Sequence, residues 1–265
     1  MTKAPETKKT VPLTVENGNW GAVSLSAIHG VIESAYVALT EAFGREPEHG
    51  IQVTPWNQEY SLAVYHQRPY KIYLSVLDRY WSKYVFQFSH ELCHILTNFD
   101  RAKRHRHKWF EESLCEMSSL FVLYRLAEIW AESPPADVFK AADFAPNHRE
   151  YAESIEAKYR ISSGENIPRW FAENIRTLET SSTERKLNGV VAVALLSYFR
   201  KDSSLWRECR WLNHWNPGAD ETFLEYLNSW SDCLREKGIN SRVPNIAKRL
   251  LYRDGKAVFF KPKFI

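Results

Sequence analysis

An α+β protein is what this sequence predicts: a small mixed sheet early in the chain, then helices to the end. Two observations carry that. Three short strand-like runs lie between residues 51 and 76, separated by turn-forming segments, and from about Tyr80 onward the apolar residues recur at helical spacing. A third observation, the Glu132-Ser-Pro-Pro sequence, stops a helix and divides the chain. With 44% hydrophobic and 25% charged residues in 265, the chain is a globular protein able to bury a core. Its longest apolar run, Val190 to Leu196, is far short of a membrane span, so no membrane partner is expected.

Taken in order, residues 1–15 read as a flexible tail. A helix follows, since Val23, Ile28, Val31, Ile32, Ala35, Leu39 and Phe43 share a face up to Gly44. The strand-like runs are Ile51 to Thr54, Ser61 to His66 and Lys71 to Val76. Helices are predicted from Tyr80 to Phe99 and from Trp109 to Trp130, joined by a very basic connection. Residues 134–147 form a linker or cleft loop between a first unit, 16–133, and a helical second unit, 148–252. Helices are expected there at about 147–160, 168–180, 183–200, 203–213, 219–236 and 243–251, and residues 253–265 read as a tail in which Ala257 to Phe260 adds an extended segment. The polar N-terminus lacks the apolar core of a secretory signal, which makes a cytoplasmic location the expectation. The four cysteines show no CxxC spacing and read as free thiols.

The chemistry concentrates in Phe88-Ser89-His90-Glu91-Leu92-Cys93-His94, which contains H-E-x-x-H. Two histidines four apart on a helix lie one turn from each other on one face, so both imidazoles reach one zinc ion. Glu91 stands beside that face, placed as a general base. At about 100° per residue, Val85, Phe88, Leu92, Ile95, Leu96 and Phe99 cluster on the other side, leaving His90 and His94 to face a site. A zinc ion with three protein ligands needs one more donor. Glu112 and Glu116, one turn apart on the next predicted helix, supply it: Glu112 as ligand, Glu116 as hydrogen-bond partner of a ligand histidine.

These residues resemble the zincin metallopeptidases, and within them the gluzincin group of thermolysin-like and aminopeptidase N-type enzymes. In that group a glutamate on the helix after H-E-x-x-H sits within W-[LF]-x-E-G-x-A-E. Trp109-Phe110-Glu111-Glu112-Ser113-Leu114-Cys115-Glu116 is similar, with 17 residues between His94 and Glu112 and Ser113 in place of glycine. The resemblance implies a zincin-like sheet and active-site helix, Zn2+ held by His90, His94 and Glu112, Glu91 as general base, and Glu116 behind a ligand. It implies hydrolysis of peptide bonds in an intracellular protein or peptide. Trp56-Asn57-Gln58-Glu59 stands where aminopeptidases carry G-x-M-E-N, so an endopeptidase is the expectation.

Relatives also place a tyrosine or histidine across the cleft to stabilise the oxyanion. None aligns here; Tyr151, Tyr159, His148, His214, Arg185 and Lys186 are the alternatives. Lys71 to Val76 is the candidate edge strand for pairing with substrate, an ordinary interior strand being the alternative on strand pattern alone. Arg101 to Lys108 reads as a solvated basic loop or as an attractor of acidic groups or phosphate, with nucleic acid the lesser expectation. Cys93 and Cys115 read as small packing residues or as a redox-sensitive pair. Asp100, six residues after His94, is the ligand position of another zincin branch, but that turn needs glycine where this chain has Thr97. Two rival functions remain: a catalytically weak zincin-fold binding protein, and a nucleic-acid-binding protein with a structural metal.

Overall fold

The computed structural model describes residues 12–101, 105–162 and 164–252. The chain is α+β, with a four-stranded mixed sheet followed by helices. Strand β1 (Leu13–Val15) comes first, so the expected tail is shorter than 1–15; its three residues were too few to show a period. Helix α1 (Leu25–Phe43) starts under an N-cap bond from Ala27 N–H to Ser24 and ends at Gly44, whose φ of 63° is the left-handed geometry glycine adopts freely. Strands β2 (Ile51–Pro55), β3 (Leu62–Val64) and β4 (Tyr70–Leu74) follow.

The sheet order is β1-β2-β4-β3, with β1, β2 and β4 parallel and β3 antiparallel to β4. This corrects one expectation. Most of the segment Lys71 to Val76 belongs to the interior strand β4, and the edges are β1 and β3, the latter beginning beside Ser61. A strand pattern cannot tell edge from interior, because that is set by which neighbours the chain finds in space.

Helix α2 (Trp81–Leu96) lies under the sheet and beside α3 (Lys108–Glu132). The structure stops α2 three residues before the expected Phe99. Thr97 turns its hydroxyl back onto the Cys93 and His94 carbonyls, and Asn98 takes a left-handed φ of 62°. A short 3-10 turn, Phe99–Arg101, completes the exit. Helix α3 is buried along most of its length and packs against α1, α2, α4 and α6.

The remaining helices are α4 (Ala145–Tyr159), α5 (Ile167–Thr180), α6 (Arg185–Lys201), α7 (Trp206–Cys209), α8 (Phe223–Glu236) and α9 (Arg242–Leu251). The expected loop 134–147 contains a 3-10 turn at Ala141–Phe144 and gives way to α4 two residues early. The helix expected at 203–213 is only a 3-10 turn and the single-turn α7, and α8 begins at Phe223 rather than 219 because Thr222 and Glu225 form a capping box there. The extended segment expected at Ala257 to Phe260 lies outside the described residues. One hydrophobic cluster runs from α1 and the sheet through α3 to α6, α8 and α9, so the two expected units share a core. Among the described residues no helix is long and apolar enough to cross a membrane.

Candidate metal centre

Helical phase places the site. On α2, Val85, Phe88, Leu92 and Leu96 are fully buried in the core, while Gln87, His90, Glu91 and His94 line a cavity of about 720 Å3. On α3, Trp109, Phe110, Leu114 and Met117 are buried, and Glu112 and Glu116 line that same cavity. The two helices are held together in part by Ser118 and Ser119, whose hydroxyls donate to the Ser89 and Phe86 carbonyls of α2. That contact fixes the height of the α3 carboxylates against the α2 imidazoles.

Ligand atoms of His90, His94 and Glu112 all lie within 4.8 Å of one another. His90 Nε2 is 3.4 Å from one oxygen of Glu112, and His94 Nε2 is 3.5 Å from the other. An ion bound tetrahedrally at about 2.0–2.2 Å sets its ligand atoms about 3.3–3.6 Å apart, so the spacing fits a metal. The Nδ1 atoms point away to carboxylates: His90 Nδ1 lies 3.6 Å from Glu116, and His94 Nδ1 lies 3.6 Å from Glu111. Both histidines thus present Nε2 to one point and are backed at Nδ1.

The electrostatics agree. Burial alone disfavours an imidazolium at His90, yet Glu112 and Glu116 outweigh it and push its pKa up to about 10. Burial likewise opposes charge at His94, but Glu112 and Glu111 raise its pKa well above the ordinary value. Burial also opposes ionisation of Glu112, which His94 and His90 nevertheless hold well below the usual carboxylate range. Two imidazoles amid carboxylates therefore bind protons tightly. A divalent cation held at the same point would replace those protons and satisfy the same charges.

Glu111 is a partner the sequence did not expose. It is 1% exposed, accepts hydrogen bonds from Thr97 Oγ1 at 2.6 Å and Asn213 Nδ2 at 2.8 Å, and faces His94. Adjacent glutamates at a helix start read as a solvated first turn, and Asn213 is over 100 residues away. Ser61 is a second such residue: its hydroxyl donates to Glu91 at 2.7 Å and holds that carboxylate at the start of β3. Tyr65 is a third. It lines the cavity with its ring against His94 and Phe99, and its hydroxyl has no hydrogen-bond partner among the described residues. Burial, reinforced by Glu91 and other nearby carboxylates, pushes its pKa well up and keeps the phenol protonated. Phe99, expected in the packing stripe, lines the cavity instead, because α2 has already ended.

Of the six oxyanion candidates, Tyr151, Tyr159 and Arg185 line the cavity. Tyr159 is seated by Gly189, where a Cβ would come within 2.4 Å of its ring. Lys186 is not part of the lining. His148 is fully buried between Ser82 and Trp130, and His214 packs on Trp211, so neither reaches the site. Asp100 lies 3.7 Å from Arg68 and is outside the ligand group.

The basic connection is not a free cationic patch in its described part. Arg101 pairs with Glu48, and Arg106 with Glu179 and Asp220. His105 and His107 are buried against Tyr226, where burial depresses both pKa values to about 4. None of these residues lines the cavity, and Arg104 lies outside the described residues. Cys93 and Cys115 are fully buried free thiols beside each other, and burial together with Cys93 raises the Cys115 pKa well above the ordinary value, which favours packing over reactivity.

No protein-family model matches this chain, and no curated protein matches it.

Proposed function

We propose that this protein is a zinc-dependent peptide hydrolase of zincin type, acting as an endopeptidase. The observation that carries the proposal is the convergence of His90 Nε2, His94 Nε2 and Glu112 at metal-ligand spacing, with Glu91 in the same cavity. Three protein donors leave a coordination position free for water or substrate, which is the arrangement of catalytic zinc; structural zinc takes four. Zinc bound there supplies a Lewis acid that polarises a carbonyl and makes water acidic enough to deprotonate near neutral pH.

The chain's own residues do the rest. Glu91, steadied by Ser61, accepts the proton of the attacking water and delivers it to the departing amine nitrogen. Tyr65, a protonated phenol with its hydroxyl free, donates to the carbonyl oxygen as negative charge develops on it. Glu111 and Glu116 keep the ligand histidines in the tautomer that leaves Nε2 free to bind metal. Strand β3 is an antiparallel edge whose Leu62 lines the cavity beside Ser61, which supports pairing of an extended peptide along it.

The test is paired. Protein purified without chelator should contain about one zinc per chain, and His90→Ala or His94→Ala should empty it. Glu91→Gln should keep the zinc while abolishing cleavage, because the amide cannot accept the proton. A wild type that holds no metal after reconstitution sinks the proposal.

A further inference from the structure

The cavity carries cations that neither metal binding nor hydrolysis uses. Lys158, near the end of α4, and Arg185, at the start of α6, both line it, and neither has a carboxylate partner among the described residues. They share one cavity with the candidate ligands. Tyr159, next to Lys158 in the chain, and Glu116, 3.6 Å from His90, line it too. Lys83, two turns before His90 on the same face of α2, adds a third unpaired cation farther along the cavity. Against them the rim holds one acidic residue, Glu59, on the sheet side; the other lining carboxylates, Glu91, Glu112 and Glu116, belong to the metal centre.

One feature of α6 points the same way. Its first residue, Arg185, follows the N-cap Glu184, whose carboxylate accepts from Ser181 and compensates the positive helix end, so the cationic character of this wall comes from side chains. One turn on, Asn188 is 3% exposed and lines the cavity; its Nδ2 donates to the Ser182 carbonyl, while its Oδ1 is buried without a partner. An unmet buried acceptor calls for an N–H donor.

Resting on the hydrolase reading, we infer that this wall selects peptides bearing a carboxylate on the stretch that lies in the cavity, held by Arg185 and Lys158 while Asn188 accepts a backbone N–H. The orphan acceptor favours a peptide. A phosphate group brings only acceptor oxygens, so a nucleic acid would have to reach Asn188 Oδ1 with a base, whereas a peptide carries a backbone N–H beside every carboxylate-bearing residue. The carboxylate has two sources, an Asp or Glu side chain or a free C-terminus, and the same wall serves either.

The experiment uses the zinc-loaded full chain and a quenched-fluorescence octapeptide set, with Glu against Gln at each position and a C-terminal acid against an amide. The expected result is at least a tenfold higher kcat/KM for the carboxylate member of a pair. A preference confined to internal Glu identifies the side chain, and one confined to the free acid identifies the terminus. Both Lys158 and Arg185 are exposed, so the double variant Lys158→Glu, Arg185→Glu should fold, and it should invert the preference towards neutral or basic peptides. Equal rates within pairs for wild type, or a preference that survives the double reversal, overturns the inference. If no peptide is cut, binding of the same peptides to zinc-loaded Glu91→Gln, read by fluorescence anisotropy, separates the two ideas. A carboxylate preference in binding that the double reversal abolishes keeps this inference and sinks hydrolysis; equal or absent binding sinks both. Displacement of acidic peptide by a single-stranded oligonucleotide at lower concentration than by the peptide itself also overturns it.

Discussion

Replacing Glu111 with Gln isolates a part of the proposed metal centre that lies outside the candidate ligand set. In the wild type one oxygen of Glu111 accepts from Thr97 Oγ1 at 2.6 Å and lies 3.6 Å from His94 Nδ1, an electrostatic contact, and the other accepts from Asn213 at 2.8 Å. An amide has only one oxygen. If that oxygen keeps Asn213, the NH2 group faces Thr97, which adapts because its hydroxyl also has the Cys93 and His94 carbonyls within reach at 2.9 and 3.2 Å. The same NH2 then faces His94 Nδ1, donor against donor, and drives the ring proton to Nε2, the atom that must be free to bind metal. If the amide flips, Asn213 loses its acceptor instead. Loss of such an outer partner weakens metal binding by about 10–100-fold, or about 1.4–2.8 kcal/mol. The unmatched buried donor costs the metal-free fold about 1–3 kcal/mol. Zinc affinity by competition with a chromophoric chelator, and urea unfolding of the metal-free protein, read the two effects separately. A folded Glu111→Gln protein with zinc affinity within about twofold of wild type would refute the argument.

Under mild chelation, Glu112→Ala should lose zinc readily and Asp100→Ala should retain it; elemental analysis of the two decides, and the reverse order would move the third ligand to the α2 exit. Lowering the pH should destabilise the metal-free protein between about 6.5 and 4. Burial depresses His105, His107 and His148 to about 4, so in that window the unfolded chain binds protons that the folded one does not. His148→Asn removes one such group and should flatten the fall by up to about 1.36 kcal/mol per pH unit, measured by urea midpoints; identical slopes would contradict the assignment. Gly189→Ala should destabilise by about 1–3 kcal/mol despite alanine's better helix propensity, because its Cβ would lie 2.4 Å from the Tyr159 ring. Adding Tyr159→Ala should cancel that cost, and a double variant no more stable than Gly189→Ala alone would show that the ring is not the obstacle.

Local chemistry is what this sequence determined by itself. Helical spacing and apolar phase were enough to put His90 and His94 on one face of α2, to assign Glu112 and Glu116 to α3, and to separate the strand-bearing part from the helical part, since periodicity is set within a few residues. Tertiary structure decided everything that depends on who meets whom. Lys71 to Leu74 became part of an interior strand, with β1 and β3 the edges; Asn213 and Thr97 converged on Glu111; Ser61 reached Glu91; and in the described part of the basic connection Arg106 was paired with Glu179 and Asp220 while His105 and His107 were buried against Tyr226. None of these follows from spacing, because each joins segments whose proximity exists only after the core has closed around α3. The same physics hid the cations of the cavity wall: Lys158 and Arg185 look like ordinary solvated helix ends until α4 and α6 bring them into the lining of the cavity that His90 and Glu116 also face.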